Sequence, residues 1–192
     1  MKTKHWIILL LLSISASSCD RRCEVTKTDR AMIPYQIGDT VRFTDKSGNP
    51  NTFVVIDEIS WWDHWDEHFY DEYLKVILKS IHTDYQRNDS LITVTIHGWN
   101  DPNRRSLDFW LYGYSKGAGG IVYYNSKGKL LSSEDSVLIG KRWYYNVANA
   151  SSPNDIYGPA EGFYNKTHGV LKLIKNEREI LTLDTIIRAG KR

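Results

Sequence analysis

The residues best suited to chemistry lie in the segment 60–73, where His64, Glu67 and His68 spell His-x-x-Glu-His. On a helix, His64 and His68 would leave one face at the spacing two imidazoles need to share a metal ion, with Glu67 beside them. Seven carboxylates (Asp57, Glu58, Asp63, Asp66, Glu67, Asp71 and Glu72) lie nearby. No Lys or Arg falls between Lys46 and Lys75, so the neighbourhood favours a cation. A proteolytic zinc site also needs a third ligand from a later helix, and none is recognisable downstream. The preferred account is a solvated acidic face over an aromatic seam, with no metal and no other cofactor.

A second pattern is Gly113-Tyr114-Ser115-Lys116-Gly117, the Gly-x-Ser-x-Gly of a nucleophile elbow. Asp135, Asp155 and His168 even follow in serine-hydrolase order. The elbow needs a helix directly after its serine, whereas Ala118-Gly119-Gly120 leads into the strand-like run Ile121-Val122-Tyr123-Tyr124. A glycine-rich hairpin loop fits better. The enzyme question therefore leans to no, with a hydrolase built on His64, Glu67 and His68 or on Ser115 as the last alternative.

Aromatic residues are the third candidate. The chain has 7 Trp and 12 Tyr but only 2 Met, a balance that suits sheets whose rings pair across strands. Trp99, Trp110 and Trp143, with Tyr112, Tyr114, Tyr123, Tyr144 and Tyr145, fall in or beside strand-like runs. An exposed row of such rings would stack on sugars. Cross-strand packing is the competing account and the favoured one.

The elements that must position these residues are mostly strands. Leu107, Phe109 and Leu111 share one face of their run, and Ile92-Thr93-Val94-Thr95-Ile96 has a clean period of two. Similar runs recur from Thr40 to Leu183, separated by turn residues, and Asn125-Ser126-Lys127-Gly128 has hairpin chemistry. The pattern predicts a single all-β domain over 34–192, an antiparallel meander that is barrel- or sandwich-like. One short inserted helix is expected near residues 61–72, because Trp61, Trp65, Phe69 and Tyr73 recur every four and Ser60 can cap.

The chain start follows a different logic. Lys2 and Lys4 precede a short apolar run from Trp6 to Ile14, and Ser15-Ala16-Ser17-Ser18 then leads to Cys19. That run is too short to span a bilayer, which takes about 20 residues. The layout resembles a bacterial lipoprotein signal over residues 1–18, with Cys19 as the lipidated residue, palmitate among its expected chains. Residues 19–33 read as a charged, lipidated tether. Without the signal, 23 basic residues balance 23 acidic ones, which gives no electrostatic case for nucleic acid. Cys19 and Cys23 are the only cysteines, so acylation of Cys19 rules out an internal disulfide.

In the C-terminal third, Gly140-Lys141-Arg142-Trp143-Tyr144-Tyr145-Asn146-Val147 is followed by Tyr164-Asn165-Lys166-Thr167-His168-Gly169-Val170-Leu171-Lys172-Leu173, with Glu179–Leu183 alongside. The first run resembles a strand, and the second the closing pair, of the small β-rich lipoproteins of Bacteroidetes. The resemblance implies export, a lipid anchor in the outer membrane and a β-rich fold rather than an activity; the role expected for the chain is a non-catalytic binding or envelope-structural module, its partner a glycan or an envelope protein. It also implies O-glycosylation at Asp-Ser/Thr-aliphatic triplets, which here centre on Thr40, Ser90, Ser136 and Thr185. Ser90 and Ser136 are the most turn-like of the four.

Overall fold

The computed structural model describes residues 21–66, 69–81, 90–98, 104–113, 118–152, 160–176 and 178–190. They form an all-β half-barrel whose strands are β1 (Arg21–Cys23), β2 (Thr40–Thr44), β3 (Pro50–Asp66), β4 (Phe69–Ser80), β5 (Leu91–His97), β6 (Arg105–Tyr112), β7 (Ala118–Tyr124), β8 (Glu134–Ile139), β9 (Arg142–Ser152), β10 (Ala160–Asn165), β11 (Gly169–Lys175) and β12 (Arg178–Ile187). One single-turn helix, α1 (Lys27–Arg30), precedes the meander. The sheet runs β7-β6-β5-β4-β3-β2-β12-β11-β10-β9-β8, antiparallel throughout, and β1 adds to β4 in parallel.

Alternation explains the curl. Val41 and Phe43, Phe53 and Val55, Val76 and Leu78, Leu107, Phe109 and Leu111, and Leu171 and Leu173 all point inward and are buried. Their shared interior draws β7 round to pack on β9 and β10. Two glycines permit that approach. A Cβ on Gly120 would lie 2.6 Å from the Cβ of Ala150, and one on Gly162 would run into the Phe109 ring. Phe109 stacks on Tyr164 across the interior with centroids 5.8 Å apart.

Because neighbouring strands alternate in direction, the connections sort into two ends. The β3–β4, β5–β6, β8–β9 and β10–β11 turns lie at one end, and the β2–β3, β4–β5, β6–β7, β9–β10 and β11–β12 turns at the other. The segment 23–39 closes the first end. There Met32, Ile33 and Tyr35 are buried among the sheet residues.

One expectation is corrected here. The helix expected near 61–72 is a hairpin, with β3 running to Asp66, β4 starting at Phe69, and Trp61 paired with Tyr73. A spacing of four is also two strand repeats, so it puts residues on one face of a strand as readily as of a helix. Here Trp61 and Tyr73 stack at 5.1 Å as a cross-strand pair. From Cys23 on, the charged stretch expected as a tether over 19–33 lies against the fold: Asp29 is buried and Arg30 half-buried, while Glu24 and Lys27 stay exposed.

Candidate functional site

Docking of the N-terminal segment rests on one acid. Thr26 and Asp29 form a capping box around α1: Thr26 N donates to Asp29 Oδ2 at 2.7 Å, and Asp29 N donates to Thr26 Oγ1 at 3.2 Å. The same carboxylate, fully buried, takes an ion pair from Arg105 and a 3.0 Å hydrogen bond from Tyr124 Oη. A buried charge needs such partners to hold its cost down. Arg30 adds a forked pair to Glu58 (2.8 and 2.6 Å) and caps the carbonyls of Ile33 and Tyr35.

Tyrosines complete the closure. Tyr164 Oη donates to the Met32 carbonyl, and Val170 N donates to Tyr35 Oη at 2.8 Å. Burial pushes the phenols of Tyr35, Tyr124 and Tyr164 well above their ordinary value, so all three stay neutral. Asp39 is the counterpart at the C-terminal side. It is buried and accepts from Arg188 Nη1 (2.7 Å) and Ala189 N (2.9 Å). These charged groups hold the end shut.

Beside the closed end lies a cleft of about 430 Å³, lined by Lys129, Ser133, Tyr145, Asn146, Lys166 and Thr167 among others. Tyr145 is 66% exposed and Trp143 60% exposed. They stand two apart on β9, hence on one face about 7 Å apart, with Leu138 of β8 paired to Trp143 and also exposed. A second cleft of about 400 Å³ runs along the open seam between β7 and β9, where Arg104 sits over the Tyr123 ring at 4.5 Å. Rings, lysine ammoniums and amide groups at a cleft can bind a polar ligand by stacking and charge. No family model matches the chain, and neither a curated protein nor a solved structure is significantly similar to it.

The residues singled out from sequence scatter. Cys19, Glu67, His68, Ser115 and Asp155 lie outside the described residues. His64 is in the strand β3, paired with Tyr70, and not on a helix. Among the described residues, no group of three His, Cys, Asp or Glu side chains is placed to hold a metal. Ser115 is two residues from Gly113, in the β6–β7 connection, and β7 follows at Ala118 as a strand. His168 belongs to the β10–β11 turn, where Tyr144 packs edge-on against it at 5.2 Å.

Of the four triplet residues, Ser136 is exposed on β8, the strand at one edge of the sheet. Ser90 is buried, and Thr40 and Thr185 are half-buried. Thr40 also follows the buried, ion-paired Asp39.

One polar pair escaped notice in the sequence. His97 Nε2 and Asp108 Oδ2 meet at 2.7 Å on the outer face of β5 and β6, with Tyr73 edge-on to the imidazole at 4.9 Å. Both residues sit at outward positions of clean period-two runs, a signal that in retrospect marks them as neighbours. The pair joins two strands.

Proposed function

We propose that this chain is a lipid-anchored, non-catalytic binding module of a bacterial envelope. The observation that carries the binding role is the exposed pair Trp143 and Tyr145 on one face of β9, beside a cleft lined by Lys129 and Lys166. With exposed Leu138 paired to Trp143, the two rings form a contiguous apolar patch of the kind that marks an interaction site. The signal-like residues 1–18 and Cys19 support export and anchoring, with the outer membrane as destination. The charged groups in the interior support a role without chemistry, since Asp29, Asp39 and Arg105 are engaged in holding the fold.

The experiment is an intact mass of the chain purified from the membrane fraction of a bacterial host. Loss of residues 1–18 with a diacylglyceryl group on Cys19 is expected. An unlipidated chain in the soluble fraction would overturn the anchoring.

The ring pair favours a second reading in which the ligand is a glycan. Flat apolar faces suit pyranose rings, and the lysines suit acidic sugars. Binding on a broad glycan array that disappears in Trp143→Ala and Tyr145→Ala is expected. Silence across the array would sink that reading.

A further inference from the structure

We propose that the closed end of the half-barrel rests directly on the bilayer, so that the head-group layer is the surface the β8–β9 rings meet. This rests on Cys19 being the lipidated residue.

Covalent geometry leaves almost no tether. Cys19 is two Cα steps from Arg21, hence within about 8 Å of it. Arg21 in turn pairs with Phe69, the first residue of β4 after the β3–β4 turn. Acyl chains on Cys19 therefore enter the membrane beside that turn.

The hairpin is also the part of the fold that projects. β3 and β4 stay paired from Phe53 and Ser80 out to Asp66 and Phe69, while β5 stops at His97 opposite Tyr73 and β2 stops at Thr40 opposite Val54. Beyond those limits the arm is flanked by β1, the strand that follows the anchor. The arm exposes Trp62 at nearly half its surface.

The β8–β9 hairpin turns at the same end and exposes Leu138 and Trp143, with Lys141 at its turn and Arg142 next to it, donating to the Asp184 carbonyl at 2.7 Å. Lys127 and Lys166, both exposed, come from adjacent turns. Indoles beside lysines and arginines form the usual mix at a membrane interface, where rings sit at head-group level and cations meet phosphate. The opposite end also exposes Ile81 and Tyr112, but it has no covalent route to lipid. The anchor thus enters beside the acidic β3–β4 arm, and the rings and cations of the β8–β9 hairpin and its adjacent turns, at the same end of the sheet, supply the second contact that fixes orientation as well as location.

The test uses the acylated chain in vesicles of phosphatidylethanolamine and phosphatidylglycerol. An environment-sensitive dye is attached at Lys141→Cys or, at the far end, at Ser47→Cys. Cys23 is buried, and the unsubstituted chain taken through the same labelling sets the background. A water-soluble reductant then bleaches the dye. Bleaching several-fold slower at position 141 than at position 47 is expected, with a blue-shifted emission at 141 alone. Equal rates on vesicles, with acylation of Cys19 established by mass, would overturn the orientation and leave the anchor standing. A chain without acyl groups on Cys19 would overturn the reading beneath it.

Discussion

Tyr124 Oη donates a 3.0 Å hydrogen bond to Asp29 Oδ1, joining the last residue of β7 to a one-turn helix 95 residues earlier in the chain. With Arg105 on the other oxygen, this makes Asp29 the bolt of the closed end. Removing it strands a largely buried guanidinium and breaks the cap of α1. Asp29→Ala is therefore expected to destabilise by about 3–5 kcal/mol, and Tyr124→Phe by about 1 kcal/mol. Urea unfolding of each variant measures both. A loss below that of Tyr124→Phe in Asp29→Ala would show that the N-terminal segment is not bolted on.

Starting the chain later tests the same docking without a point change. A chain beginning at Arg21 is expected to unfold cooperatively. One beginning at Pro34 lacks Met32, Ile33 and Asp29 and should show a broad, low-temperature transition. Equal melting curves would return residues 21–33 to the status of a tether.

Gly162 lies against the Phe109 ring, where a Cβ has no room. Gly162→Ala should cost about 1–3 kcal/mol, as overpacking does. Phe109→Leu alone should also destabilise, yet the double variant should be more stable than the sum of the two losses. Strict additivity in denaturant titrations would mean that Phe109 of β6 does not pack on β10.

The imidazole of His168 is held below its ordinary value by burial, with Arg188 and Arg142 adding repulsion. The unfolded chain takes up this proton near pH 6.5, the folded one only at lower pH. Its contribution to stability is thus fully present above about pH 6.5 and is lost as pH falls from there through the lower folded value. Burial lifts the Asp71 carboxyl, against the Cys23 hydrogen bond that favours its anion. That shift has the opposite sign: the folded state gains as pH falls toward the carboxylate range. Thermal midpoints at pH 7.5 and 5.5 should differ less in His168→Gln than in the parent. An unchanged difference would remove His168 from the account.

If exported chains of this kind are O-glycosylated, exposure selects Ser136. Ser136→Ala should remove any added glycan mass, while Ser90→Ala should leave it, because the Ser90 side chain is buried in the folded chain. Glycan retained on Ser136→Ala would show modification before folding or at another triplet.

Strand periodicity is a local property, and it was legible. Leu107, Phe109 and Leu111 alternate with Asp108, Trp110 and Tyr112 in sequence, and the first three are buried in the fold. Neighbouring side chains of a strand point to opposite faces whatever the strand pairs with. Turn chemistry at Asn125–Gly128 was legible for the same reason, and Gly128 N closes the turn on the Asn125 carbonyl at 2.8 Å.

What only the tertiary structure decided has partners far away in the chain. The aromatic spacing in 60–73 satisfies helix and strand alike, and the cross-strand contact of Trp61 with Tyr73 settles it. Residues 23–33 have no apolar period, and their one local signal, the capping box of Thr26 and Asp29, is short. Their place is set by Arg105 and Tyr124, 76 and 95 residues from Asp29. Which rings reach solvent was likewise undetermined, since β9 presents Trp143 and Tyr145 outward and Tyr144 inward only once β8 and β10 have taken their registers. A sequence states its alternation, but the inner face is chosen by the strands that close over it.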